Sequence, residues 1–151
     1  MEIYKVFLSL PMDGKNEDEI AYIENCWHES NKFDRINILR KKKIGGLNID
    51  SDSNLSGIAK SIVEFDLQVL KSCDGLILDF SFEDHLYIGS ICEMVYAHQM
   101  NIPVIIYSGY RIFDKRWWLI FHAKQILSSR ESCIAHMFGE ISLTKESSRR
   151  S

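Results

Sequence analysis

Three observations predict an α/β protein, a single-domain doubly wound sandwich around a central, mainly parallel sheet. Short strand-forming runs alternate with stretches whose apolar residues recur at helical spacing, in the order β-α-β-α-β-α-β. One run, Gly75-Leu76-Ile77-Leu78-Asp79, is apolar without a break until its last residue, as expected of a strand covered by helices on both faces. The links between these segments are short and carry turn residues. The domain is expected over residues 1–144, with a polar and basic tail over 145–151 that frays.

Val6-Phe7-Leu8-Ser9-Leu10 is the first strand, and Pro11-Met12-Asp13-Gly14 ends it with turn chemistry. Asn16 is placed to cap a helix over about Glu17 to Lys32, in which Ile20, Ile23 and Trp27 share one face. Ile36-Asn37-Ile38-Leu39 forms the second strand. From Lys41 to Ser56 lysines, paired glycines and Asp, Ser and Asn residues show little periodicity, which predicts a mobile loop. A helix follows from Ser56 to about Ser72, with Ile58, Ile62, Phe65 and Val69 as its buried stripe. Beyond the Gly75–Asp79 strand, a polar loop reaches Gly89 and a helix runs from about Ser90 to Gln99. Pro103-Val104-Ile105-Ile106-Tyr107 makes the fourth strand. The stretch from Asp114 to Ser128 contains Trp117, Trp118, Ile120, Phe121 and Ile126, and reads as a final helix whose aromatics cover the core. In such a sandwich, Rossmann-like or flavodoxin-like, ligands collect at the carboxyl edge of the strands. Residues near Pro11, Asp79, Gly89 and Ser108 should therefore converge.

The composition narrows the classes of partner. The 151 residues are 46% hydrophobic and 26% charged, which suits one core of ordinary size. A net charge of −3 gives neither a nucleic-acid polymer nor an anionic membrane a reason to bind, so a small molecule is the expected partner. Cys26, Cys73, Cys92 and Cys133 form no CxxC pair and read as reduced thiols. The histidines form no i, i+4 pair, and no metal site is expected. The amino terminus carries no basic region followed by a cleavable apolar stretch, and no run approaches the ~20 apolar residues that span a bilayer. A cytoplasmic location is expected.

The chemistry concentrates in Asp66 to Asp74, the strand Gly75 to Asp79, Gly89-Ser90-Ile91-Cys92-Glu93 with the helix that continues to Ala97, and the Pro-led strand after Ile102. By the joint spacing of Asp66, Asp74 and Gly89-Ser90-x-x-Glu93, the chain from about Lys5 to Tyr107 resembles the nucleoside 2-deoxyribosyltransferase family and its nucleoside 5'-monophosphate N-glycosidase relatives. The resemblance implies cleavage of a base–sugar bond in a small nucleoside or nucleotide, with no metal or organic cofactor. It also implies a homodimer or higher homo-oligomer, for which the Trp117-Trp118 helix supplies contact surface.

By the same resemblance Glu93 matches the nucleophile that attacks the anomeric carbon. The chemistry agrees, because an ionised carboxylate stabilises oxocarbenium character and traps the sugar as an ester. A position in the first turn of a helix would favour its charged form. Asp66 matches the second carboxylate, which handles proton transfer at the leaving base. Ser90 and the amides around Gly89 match a substrate-clamping turn at a helix N-terminus. Pro11, Met12, Asp13 and Gly14 resemble the first-strand loop that embraces sugar and phosphate. Phe7, close to Ser9 on the first strand, stands where many deoxyribosyl-specific members carry tyrosine, which leaves room near the 2' carbon. In this it is similar to relatives that hydrolyse pyrimidine ribonucleotides, so a pyrimidine substrate and hydrolysis are favoured. Tyr87 departs from the Asp or Ser found six residues before the glutamate in relatives.

Each signal also has a plainer reading. Ser90-x-x-Glu93 on its own is a capping box, and only beside Asp66, Asp74, Gly89 and the strand order does the nucleophile reading prevail. Asp79 either meets base or sugar in the cleft or caps the next turn. His85 and Tyr87 either line the base pocket or lie on an ordinary loop surface. Arg40 to Lys43 reads as a solvated loop face more than a phosphate contact. Two rival functions follow, a nucleotide-binding module without turnover, supported by Phe7 and Tyr87, and a TIR-like NAD glycohydrolase.

Overall fold

The computed structural model describes residues 1–12, 14–40, 55–111, 113 and 115–150. Five strands, β1 (Tyr4–Ser9), β2 (Ile36–Arg40), β3 (Gly75–Phe80), β4 (Val104–Ser108) and β5 (Gln125–Leu127), make one parallel sheet in the order β2-β1-β3-β4-β5. The chain steps outward from β1 to β2, then crosses back to lay β3 on the other flank of β1. The winding therefore reverses between β1 and β3, and a crevice opens at their carboxyl ends.

Helices α1 (Glu17–Ser30) and α5 (Arg130–Arg150) cover one face of the sheet, and α2 (Leu55–Lys71), α3 (Ile88–Gln99) and α4 (Trp117–His122) cover the other. Alternation along each strand divides the core in two. Val6, Leu8, Ile77 and Ile105 pack with Trp27 of α1 and Ile134 and Met137 of α5. Phe7, Leu76, Leu78 and Ile106 pack with Leu70, Met94 and Leu119 from the other three helices. All six residues of β3 are buried, as its unbroken apolarity requires. At about 1.5–3 kcal/mol for each large aliphatic or aromatic side chain fully buried, these two layers carry most of the stability. Asn16 caps α1 as expected, its side chain accepting from the Glu19 amide at 2.9 Å.

Three expectations are corrected. The segment 114–128 is not one helix. Its helical part is confined to the six residues of α4, after which Ala123 is extended and the Lys124 amide donates to the Val104 carbonyl at 2.7 Å, starting β5. Its aromatics do not cover the core either: Trp117, Trp118 and Phe121 are exposed, while Leu119 and His122 are buried. The residues expected to fray continue α5 as far as Arg150. They are held by charge, with Lys145 paired to Glu2 and, at 3.2 Å, to Asp74, and Arg149 paired to Glu2 at 3.5 Å. The inward face of α2 is centred on Asp66 and Leu70, whereas Phe65 is exposed. The apolar residues of α2 wrap around more of the helix than one stripe can bury.

Most of the loop expected between Lys41 and Ser56, with its lysines, lies outside the described residues, as does Asp13. Arg40, at the end of β2, is ion-paired with Glu24 of α1. No helix of the described residues is long and apolar enough to cross a membrane.

Candidate active site

A cleft opens at the reversal point between β1 and β3. Phe7, Ser9, Leu10 and Met12 line it from β1 and the turn beyond, and His85, Leu86 and Tyr87 from the loop after β3. Gly89, Ser90 and Glu93 line it from α3, and it encloses about 420 Å³ of empty space, its open mouth included. Phe7 and Ser9 are alternate residues of β1 and so share a face. The hydroxyls of Ser9 and Ser90 lie 2.7 Å apart, both buried, and tie the end of β1 to the first turn of α3 across 81 residues of sequence.

Helix α3 starts at Ile88 with Tyr87 at its N-cap position, and no side chain caps it. Ser90 is therefore the helix's third residue, not its cap, and its hydroxyl goes to Ser9 instead. The capping-box reading is overturned. Glu93, one turn further on, is the sixth residue, beyond the first turn to which the helix dipole's influence is largely confined. The expectation that Glu93 lies in the first turn is corrected with it. Ser90 and Glu93 stand three residues apart and hence on one helix face. Glu93 is half-buried, with its Oε2 atom shielded from solvent. A Cβ at Gly89 would meet nothing within 4 Å, so the space in front of this backbone is open to a ligand.

Tyr87 contributes its ring to the cleft and keeps its hydroxyl for the fold. That hydroxyl donates to the Phe82 carbonyl at 2.9 Å and accepts from the Phe82 amide at 2.8 Å, closing the loop after β3. Burial holds the phenol's pKa well above the ordinary tyrosine value, against the opposing pull of the Phe82 backbone, so the hydroxyl stays protonated. The ring packs on Phe80 with centroids 4.2 Å apart.

Asp79 lies outside this cleft. It is fully buried on the α1 and α5 side of the sheet, where Oδ2 accepts from Trp27 Nε1 at 2.6 Å. Its Oδ1 accepts from the Ser81 amide at 2.9 Å and from the Ser81 hydroxyl, an Asx turn that shapes the start of the loop leading to Tyr87. Arg130 of α5 stands 3.8 Å from Oδ2, its guanidinium over the Tyr107 ring. Burial raises the pKa of Asp79, and the hydrogen bonds from Ser81 and Trp27 and the charge of Arg130 oppose it. Of the two readings of this residue, the structure supports the one in which it caps the turn.

Asp66 is buried on α2, which packs against α3, but its side chain is not among those lining the cleft. Pro11 is buried and Gly14 exposed, the latter at φ +73° in the turn closed by Lys15 N to Met12 O, and neither lines the cleft. Leu10 and Leu86 were not singled out in the sequence, and their apolarity alone carries no site signal. A larger apolar groove of about 1070 Å³ adjoins along His85, Leu86 and Tyr87, walled by Ile88, Ile91, Trp117 and Trp118 among others. Among the described residues no group of three His, Cys, Asp or Glu side chains is placed to hold a metal ion.

Sheet order and cleft together define an α/β protein of the doubly wound class that presents a glutamate at its topological switch point. The particular fold is that of a 2-deoxyribosyltransferase. The enzyme of that name from Bacillus psychrosaccharolyticus, described as a biocatalyst for nucleoside synthesis, superposes with a TM-score of 0.59 at 10% identity over 91% of this chain and 95% of its own. A conserved protein from Enterococcus faecalis V583 superposes with a TM-score of 0.56 at 15% identity, over 94% of this chain and 99% of its own. At these identities the likeness is one of fold. A scan against models of known protein families gives no match, and neither does a search of curated proteins.

Proposed function

We propose that this protein is an N-glycosidase or (deoxy)ribosyltransferase that opens the base–sugar bond of a nucleoside or nucleoside 5'-monophosphate, pyrimidine bases favoured, through a glutamyl ester. The observation that carries the proposal is Glu93, half-buried beside Ser90 and Gly89 in a cleft at the switch point of a 2-deoxyribosyltransferase fold. A Glu93 carboxylate oxygen attacks C1' as the C1'–N bond breaks, and the base departs with the bonding electron pair and takes up a proton. That proton is proposed to come from solvent at the open mouth of the cleft, because Asp66, which the resemblance offers for this step, does not line it. Water then resolves the ester in a hydrolase, or a second base in a transferase, and the carboxylate is regenerated. A panel of nucleosides and 5'-monophosphates, with free base read by chromatography, tests this. Base is expected with the wild type and only at background with Glu93→Ala; equal release by the two proteins refutes the mechanism.

A binding module without turnover is the second reading. It is favoured by the commitment of the Tyr87 hydroxyl to Phe82, which leaves no free polar group six residues before the glutamate. Thermal stabilisation by nucleotides without base release would choose it.

We also place a second copy of the chain over the α2, α3 and α4 layer. Val63 and Phe65, Ile88 and Ile91, and Trp117, Trp118 and Phe121 are exposed there together. The three aromatics of α4, at about 150–250 Å² each when buried, with the aliphatics around them, reach the roughly 800 Å² per partner of a standard interface.

A further inference from the structure

We infer that the Ser9–Ser90 hydroxyl pair reads the ring hydroxyls of the sugar and makes the cleft select ribose over 2'-deoxyribose. The inference rests on the reading of Glu93 as the nucleophile and names the sugar that this reading leaves open. In a β-nucleoside the base and C5' project from one face of the ring, and the 2' and 3' hydroxyls of ribose from the other. A carboxylate that displaces the base approaches C1' from the side opposite the base, which is the side carrying those hydroxyls. Side chains next to Glu93 on its own helix face therefore meet the 2' and 3' positions, and not the base or C5'.

Ser90 is that neighbour, three residues before Glu93 on α3. Ser9 is bonded to it at 2.7 Å, both line the cleft, and they are only 5% and 7% exposed. Neither hydroxyl has a further partner among the described residues. Two hydroxyls carry two protons and four lone pairs, and the bond between them uses one of each. One proton and three lone pairs remain for the cleft, a set that matches a sugar hydroxyl acting as both donor and acceptor. Phe7, on the same face of β1, offers only apolar surface. A site built around a substrate hydroxyl discriminates against the analogue lacking it, because its own buried polar atoms are then left without a partner.

The test measures kcat/KM for base release by the purified full chain from a pyrimidine ribonucleoside 5'-monophosphate and its 2'-deoxy and 3'-deoxy counterparts. Wild type, Ser9→Ala, Ser90→Ala and the double variant are compared. The wild type is expected to prefer the ribonucleotide over the 2'-deoxynucleotide by at least about tenfold. Either alanine brings that ratio to within about threefold of one, with the loss falling mainly on the ribonucleotide. The double variant goes little further, because the two hydroxyls act as a unit. A purely structural role would lower all substrates together and leave the ratio alone, which overturns the inference. A wild-type preference for the 2'-deoxy substrate, or a loss confined to the 3'-deoxy analogue, overturns it as well. In each of those cases base release continues and the glycosidase reading stands. No base from any substrate overturns both.

Discussion

Asp79→Asn probes the buried carboxylate that shapes the loop entering the cleft. The two carboxylate oxygens divide their donors, Oδ2 taking Trp27 Nε1 and Oδ1 taking the Ser81 amide and hydroxyl. An asparagine of the same shape has one acceptor and one donor group. Kept with its oxygen toward Ser81 it sets NH2 against the Trp27 N–H, and flipped it sets NH2 against the Ser81 N–H. Either orientation leaves a buried donor without an acceptor, at about 1–3 kcal/mol. Arg130, 21% exposed, loses its counter-charge, which adds about 1 kcal/mol, well below a fully buried pair because solvent screens it. The total of about 2–4 kcal/mol corresponds to a fall of roughly 5–15 °C in Tm for a chain of this size. Thermal unfolding followed by circular dichroism measures it, and a Tm within about 2 °C of wild type refutes the reasoning. The pH dependence has a sign of its own. Burial raises the folded carboxyl above its unfolded value of about 3.9, so the folded state keeps a proton that the unfolded chain releases. The contribution of this group is complete below that pH and is lost as pH rises through the folded pKa. The stability gap between wild type and Asp79→Asn should therefore narrow from about pH 4 upward; a gap that widens means that Arg130 and the donors outweigh burial.

Two further outcomes are expected. Gly89→Ala should fold at least as well as wild type, gaining up to about 1 kcal/mol from the better helix former, because its Cβ meets nothing within 4 Å. If that space belongs to substrate, KM rises at least about tenfold, and unchanged kinetics would remove Gly89 from the site. If the proposed dimer forms, Trp117→Ser with Trp118→Ser should convert it to monomer in sedimentation at micromolar concentration, since aromatic anchors dominate such interfaces. A wild type already monomeric there rules out the proposed contact.

The architecture was legible because β1, β3 and β4 are apolar runs between helices of clear period, and that pattern needs no partner to be read. The carboxyl edge followed from the β-α alternation alone, and there the sheet order brings Gly89 and Glu93 beside Phe7 and Ser9. What escaped is what depends on distant partners. β5 has three residues, none fully buried, and its strand character comes from pairing with β4. The polar end of α5 looks frayed until Glu2 and Asp74 are placed beside Lys145. Ser90 carries the local signature of a cap and spends its hydroxyl on Ser9, 81 residues away. Asp79 and Trp27 are 52 residues apart, and neither announces the other.

The last helix brings Cys133, Ile134, Met137 and Ile141 into the same apolar layer as Val6 and Leu8 of the first strand. Without α5 the protein keeps only α1 over this face of its sheet, and apolar surface is left uncovered. Shortening it from the carboxyl end should produce aggregation before it produces a smaller folded unit.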